Sequence, residues 1–81
     1  MAFYYVYILQ SVDFENRFYV GFTRDLDQRL EEHNSGKLPN TRRYSPWKIK
    51  SAHAFPSKSK ALAFEAYLKS PSGRAFAKKR L

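Results

Sequence analysis

The chain has 81 residues, a formal net charge of +8 and no cysteine. That length leaves room for one hydrophobic core, hence one domain over residues 1–81. The missing thiols exclude disulfide frameworks, thiolate zinc sites and cysteine nucleophiles, and suit a reducing, cytoplasmic setting. Aromatic residues at 17% argue against a disordered basic tail. No apolar run approaches the ~20 residues of a membrane span. The start, Met1-Ala2-Phe3-Tyr4-Tyr5, lacks the basic region of a secretory signal.

Phe3 to Gln10 is dense in Tyr, Val, Ile and Leu and predicts a strand buried on nearly both faces. Ser11 to Asn16 is polar and turn-prone, and Arg17 to Phe22 resumes the strand-like content, so the two runs read as an antiparallel hairpin. Gly21 ends the second strand where backbone comes close. Thr23 is expected to cap a helix whose first turns carry Asp25 and Asp27, whose apolar edge is Leu26 and Leu30, and which Asn34-Ser35-Gly36 stops. Lys37 to Ser45 reads as a basic loop, and Trp47 to Phe55 as a third strand that Pro56 breaks. Ser57 or Ser59 caps a second helix through Lys69, with Ala61, Leu62, Phe64 and Leu68 inward. Ser70-Pro71 restarts a short helix anchored by Phe76 and Leu81. The order ββαβαα predicts an α+β domain with a small three-stranded antiparallel sheet flanked by helices.

Charge is unevenly spread. Residues 1–36 are net −3, residues 37–56 net +5 and residues 57–81 net +6. A basic C-terminal half asks for a polyanion or for water, and nucleic acid is the first candidate. Arg42, Arg43, Lys48, Lys69, Arg74 and Lys78 are the candidate phosphate contacts, with Lys50 beside them. Trp47 reads as a core or sheet residue before a stacking platform.

Arg29 and His33 are four apart and share a helix face. Glu65 stands alone among basic side chains on the later helix, and Tyr7 and Tyr19 come from the two hairpin strands. An arginine, an imidazole, a carboxylate and two phenols suit hydrolysis of a phosphodiester. The carboxylate can hold Mg²⁺ through hard oxygen, arginine can stabilise charge on the phosphate, and a phenol or imidazole can take a proton from water.

Tyr5-Val6-Tyr7 and Tyr19-Val20-Gly21 resemble the paired motifs of the GIY-YIG nucleases. Gly21-Phe22-Thr23, Arg29-Leu30 and His33-Asn34-Ser35-Gly36 are similar to the stretch bearing that family's active-site arginine, and Phe64-Glu65 to the helix bearing its metal-binding glutamate. The likeness covers nearly the whole chain. It is closest to small stand-alone bacterial members, and extends to the nuclease end of the excision-repair incision subunit and to structure-specific endonucleases. It implies a ββαβα core in which Tyr7, Tyr19, Arg29, His33 and Glu65 line one cleft. It also implies Mg²⁺ (or Mn²⁺) on Glu65, a tyrosine that activates water, Arg29 on the phosphate, and DNA as substrate, branched or damaged. Tyr5 stands where the first motif's glycine is usual, and Phe22 where some members carry lysine. No asparagine follows Asn40, so the role of a downstream asparagine is vacant or passes to Lys69, Arg74 or Lys78.

Each residue also has a plainer reading. Both tyrosines suit a strand, Arg29 can pair with Asp25 or Glu32, His33 can sit as a cation at a helix end, and Glu65 can neutralise Lys58 or Lys69. The conjunction favours a metal-dependent endonuclease acting on DNA, in a repair setting and with a protein partner for targeting. The alternatives are a non-catalytic nucleic-acid module, RNA included, that keeps the nuclease fold, and an adaptor whose basic face meets an acidic protein.

Overall fold

The computed structural model describes residues 2–81, built as β1 (Tyr4–Ser11), β2 (Phe18–Thr23), α1 (Leu26–Asn34), α2 (Pro39–Arg42), β3 (Trp47–Phe55), α3 (Lys58–Lys69) and α4 (Pro71–Arg80). The three strands form one antiparallel sheet in the order β2-β1-β3. The α+β architecture read from the sequence is the one observed.

The central strand organises two cores because successive side chains leave opposite faces of a sheet. Val6 and Ile8 point to one face, where they meet Ala61 and Leu68 of α3, with Val20, Phe22, Phe55, Phe64, Ala77 and Leu81 packed around them. Tyr7 and Leu9 point to the other, where they meet Trp47, with Leu26 and Leu30 of α1 and Tyr19 and Tyr44 alongside. All four central β1 side chains are 3% exposed or less. The unbroken apolar run predicted this two-sided burial. On the outer side, β3 pairs with β1 through a bulge: Ile8 faces Ser51 and Leu9 faces Ile49, leaving Lys50 as the extra residue.

The helix caps follow local chemistry. Asp25, not Thr23, caps α1: its carboxylate accepts from the Gln28 N–H at 3.1 Å. Thr23 is buried and makes a tighter turn instead, its hydroxyl accepting from the Asp25 N–H at 3.1 Å. Gly36, at φ +81°, reverses the chain after α1. Of the two serines proposed for α3, Ser57 accepts from the Lys60 N–H; Ser70 accepts from the Gly73 N–H and starts α4.

Three expectations need correcting. The segment Lys37 to Ser45 is not all loop, because Pro39 opens the short helix α2. Leu62 is 41% exposed and Phe76 38%, so neither anchors its helix. On α3 the sheet-facing stripe is Ala61, Phe64, Glu65 and Leu68, which are buried or half-buried, and on α4 the corresponding anchors are Ala77 and Leu81.

Gly73 sets how closely α4 approaches α3. A Cβ there would stand 1.7 Å from the Tyr67 carbonyl oxygen and 2.7 Å from the Leu68 Cα, both backbone atoms that cannot swing aside. Gly73→Ala is therefore expected to destabilise the chain by about 2 kcal/mol or more in urea unfolding, whereas Ser72→Ala on the exposed side of the same turn should stay within about 0.5 kcal/mol.

Candidate active site

Tyr7 and Gly21 are partners across the β1–β2 ladder. The Tyr7 ring lies over Gly21 so closely that a Cβ on the glycine would meet the phenol oxygen. The glycine thus serves as the floor for an aromatic side chain, and lets it reach toward β2, an edge strand of the sheet. Tyr19, next to Tyr7 on the same face, holds its ring centroid 6.4 Å away.

From the other side α1 presents His33, one helical turn beyond Arg29. His33 is 1% exposed, and its ring centroid lies 5.9 Å from that of Tyr7 and 5.0 Å from that of Tyr19. The Tyr7 hydroxyl oxygen is 2.9 Å from His33 Nε2, and His33 Nδ1 is 2.7 Å from Thr41 Oγ1. A buried imidazole thus joins a strand phenol to a hydroxyl on α2. Arg29 lines a tight crevice with Tyr7, Leu26 and Leu30, and its Nε is 3.2 Å from Glu32.

Glu65 comes from α3, which packs over β1 and β2. Its side chain is 19% exposed, and Lys69 approaches it at 3.2 Å. It makes no direct hydrogen bond to the Tyr7–His33 pair, yet its charge reaches Tyr7. Burial pushes the Tyr7 phenol well above its ordinary value, neighbouring Tyr19 adds to this, Arg29 opposes it, and Glu65 and then Glu32 raise it further. Burial, and then the Arg29 charge, lowers His33, with Glu32 pulling the other way. The proton therefore rests on Tyr7 beside a neutral imidazole.

Four of the five sequence-predicted residues (Tyr7, Tyr19, Arg29, His33) meet in one cluster, whereas Glu65 stands on α3, the helix packed on the opposite face of the sheet, and reaches Tyr7 through its charge. The plainer ion pairs also form, Arg29 with Glu32 and Glu65 with Lys69. The predicted phosphate contacts scatter. Arg42 and Arg43 are exposed at the end of α2, Arg43 with its guanidinium 5.4 Å from the Tyr44 ring centroid. Lys48 is exposed on β3, Arg74 and Lys78 on α4, and Lys69 is held at Glu65. Trp47 is core, 5% exposed, with its indole N–H donating to the Thr41 carbonyl at 2.8 Å.

Two residues went unread in the sequence. Thr41 lay in what looked like a basic loop. Asn34 looked like part of a helix stop, but its amide donates to the Trp47 carbonyl at 3.0 Å and accepts from the Trp47 N–H, tying the end of α1 to the start of β3. The only local signal was an Asn before Gly36, which reports a turn and nothing of its partner.

Among the described residues no group of three or more His, Asp or Glu side chains could enclose a metal ion. One half-buried carboxylate still fits a hard cation such as Mg²⁺, which keeps most of its water and takes oxygen from a substrate phosphate. Lys69, 52% exposed, is the cation now paired with that carboxylate at 3.2 Å.

The three-stranded sheet thus lies between helical layers, with phenols, imidazole and guanidinium gathered against its central strand. The model of the GIY-YIG catalytic domain matches residues 3–80, and the chain belongs to that family. It is 40% identical over 72 residues to the UPF0213 protein BH0048 of Halalkalibacterium halodurans, a match covering 88% of this chain and 74% of that one. It is 49% identical over 76 residues to the structure-specific endonuclease subunit SLX1 of Meyerozyma guilliermondii, covering 85% of this chain but 25% of that one. The solution NMR structure of the UPF0213 protein BH0048 from Bacillus halodurans superposes with a TM-score of 0.56 at 38% identity, covering 96% of this chain and 81% of that one. No helix among the described residues is long and apolar enough to cross a membrane.

The neutral imidazoles have a consequence for stability. Unfolded, histidine titrates at about 6.5. Below that pH the unfolded chain binds a proton that the folded chain refuses at His33, so stability should fall as pH drops from about 6.5 and level off beneath the lowered folded value. His53 on β3 is lowered by burial in the same direction. Urea midpoints between about pH 7.5 and pH 5 should decline in the wild type, and still decline in His53→Gln; a flat profile in the variant would assign the whole effect to His53.

Proposed function

We propose that this chain is a metal-dependent endonuclease that hydrolyses phosphodiester bonds in DNA, with Tyr7, Tyr19, Arg29, His33 and Glu65 as its site. The observation that carries this is the 2.9 Å contact between the buried Tyr7 hydroxyl and His33. A phenol in a hydrophobic core needs an acceptor, and here the acceptor is itself a group able to take the proton.

Tyr7 and His33 act as one proton-handling unit. His33 is kept neutral and can accept the Tyr7 proton, leaving a phenolate to draw a proton from attacking water. Tyr19, half-buried beside them, forms the water-facing wall. Arg29 releases Glu32 and turns its guanidinium to the phosphate, whose charge grows as the bond breaks. Glu65 would hold the divalent cation, Mg²⁺ with Mn²⁺ able to substitute, which supplies Lewis-acid polarisation of the phosphate. Holding a cation also changes what Glu65 does to Tyr7: bare, it raises the phenol, and neutralised it no longer does.

The net charge of +8 favours a polyanion. Arg42, Arg43, Lys48, Arg74 and Lys78 are exposed for phosphate contact, with Lys69 released when Glu65 takes its cation. The likeness to a structure-specific endonuclease subunit favours branched DNA and a protein partner for targeting. A reducing cytoplasm suits a chain without cysteine.

The test is a cleavage panel of duplex, flapped, branched and single-stranded DNAs and RNAs with Mg²⁺ or Mn²⁺. Glu65→Gln is expected to abolish metal-dependent cleavage while binding, read by anisotropy in the absence of cleavage, stays within a few-fold. Arg29→Ala should lower kcat on the order of a hundredfold or more with a smaller loss of affinity. Affinity should fall linearly with the logarithm of salt concentration. Salt-sensitive binding with no turnover on any substrate would replace the enzyme by a nucleic-acid-binding module of the same fold. Salt-independent behaviour with a co-purifying protein would select the adaptor.

A further inference from the structure

Two proton arrangements satisfy the distances around His33. In one, His33 carries its proton on Nδ1, donates to Thr41 and accepts from Tyr7. In the other it carries the proton on Nε2, donates to the Tyr7 oxygen and accepts from Thr41. The surroundings distinguish them. Thr41 is 0% exposed, and its hydroxyl has the Leu38 carbonyl within reach at 3.5 Å, an oxygen it shares with the Thr41 and Arg42 N–H groups at 3.2 and 3.1 Å. Tyr7 is 2% exposed, and among the described residues its hydroxyl is hydrogen-bonded to His33 alone. With the proton on Nδ1, every donor finds an acceptor: Tyr7 O–H to Nε2, Nδ1–H to Thr41 Oγ1, Thr41 O–H to Leu38. With the proton on Nε2, the Tyr7 O–H is buried without an acceptor, a desolvated donor left unpaired.

We propose that Thr41 is a positioning residue that fixes His33 in its Nδ1–H tautomer, so that Nε2 always faces the Tyr7 hydroxyl as an acceptor. This rests on the nuclease reading for its effect on cleavage, though not for its effect on the imidazole.

The proton balance explains why a hydroxyl suits this position. When the Tyr7 proton moves to Nε2, Tyr7 becomes a phenolate and His33 an imidazolium. The Nδ1–H bond to Thr41 is the same before and after, so the hydroxyl need not rotate during the transfer. Thr41 is itself held from two directions. Its carbonyl accepts from the Trp47 indole, and Asn34 ties Trp47 back to α1, the helix that carries His33. The basic segment between α1 and β3 is thus a brace whose buried product is one oriented hydroxyl. The charged and titratable groups facing the pair are Tyr19 from β2, Arg29 and Glu32 from α1, and, acting on Tyr7, Glu65 from α3.

Thr41→Val keeps the branched shape and removes the hydroxyl, and Thr41→Ser restores it. Nitrogen-15 NMR of the histidine ring at about pH 7.5 reads the tautomer directly, with His53 as the internal reference. The wild type is expected to show His33 protonated on Nδ1, Thr41→Val a shift toward Nε2–H, and Thr41→Ser the wild-type pattern. On a branched DNA substrate, Thr41→Val should lose on the order of tenfold to a hundredfold in kcat with KM little changed. Its pH–rate profile should be displaced, and Thr41→Ser should recover both. An Nε2–H imidazole in the wild type overturns the proposal without any variant, and so does a Thr41→Val protein that keeps the Nδ1–H form. A switched tautomer with undiminished cleavage removes its part in the reaction. Should the wild type cleave nothing, the nuclease reading fails while the tautomer measurement still decides the role of Thr41.

Discussion

A hydroxyl in the middle of a buried strand must be answered, and the architecture on one side of the sheet is the answer. Tyr7 sits between Val6 and Ile8 on a strand covered on both faces, and only 2% of its surface is exposed. Its oxygen therefore determines what can stand opposite. The position across the ladder has no side chain at all, α1 stops where His33 can reach, and a one-turn helix is inserted before β3 to supply the imidazole's second partner. Loss of any of these would leave a polar atom stranded in an apolar layer. The cost would be of the same order as a large share of a small domain's net stability.

The same demand links folding to chemistry. Burial alone would make Tyr7 an inert phenol, since it opposes the phenolate. The neighbouring imidazole, equally desolvated, resists the proton. Each penalty is high singly, but the transferred state is an ion pair in contact, and attraction between its two charges offsets part of both. The groups that tilt the balance come from two helices, Arg29 and the opposing Glu32 from α1 and Glu65 from α3. The two layers that sandwich the sheet thus each hold part of the control over one proton.

Much of this could be read along the chain. The β1 run was continuous enough in apolar residues to predict burial on both sides, and Ser57, Ser70 and Gly36 did what their residue types prefer. The misreadings have physical causes. Thr23 and Asp25 are both good caps, and only the chain's entry angle from β2 decides between them. Leu62 and Phe76 have the composition of anchors, but α4 lies so close across Gly73 that smaller Ala77 and the terminal Leu81 fill the space instead. Tyr7, Tyr19, Arg29 and His33 were found because strand alternation and helical spacing put them on common faces. Thr41 and Asn34 were missed because their partners lie eight and thirteen residues away across a turn, a separation with no periodic signature.

The irregular pairing of β3 matters for how such a chain survives in a crowded solution. A sheet this small has two open borders, and one of them is a nine-residue strand with free backbone groups, a template on which a second ribbon of the same kind could zip up. The extra residue that distorts that border is Lys50, and Lys48 lies two positions before it. Stacking like strands there would bury ammonium groups against each other on a warped rail. A sequence rich in tyrosine, phenylalanine and branched side chains, the composition most prone to fibrils, is thus guarded at its weakest seam by the same cations that suit it to a polyanion.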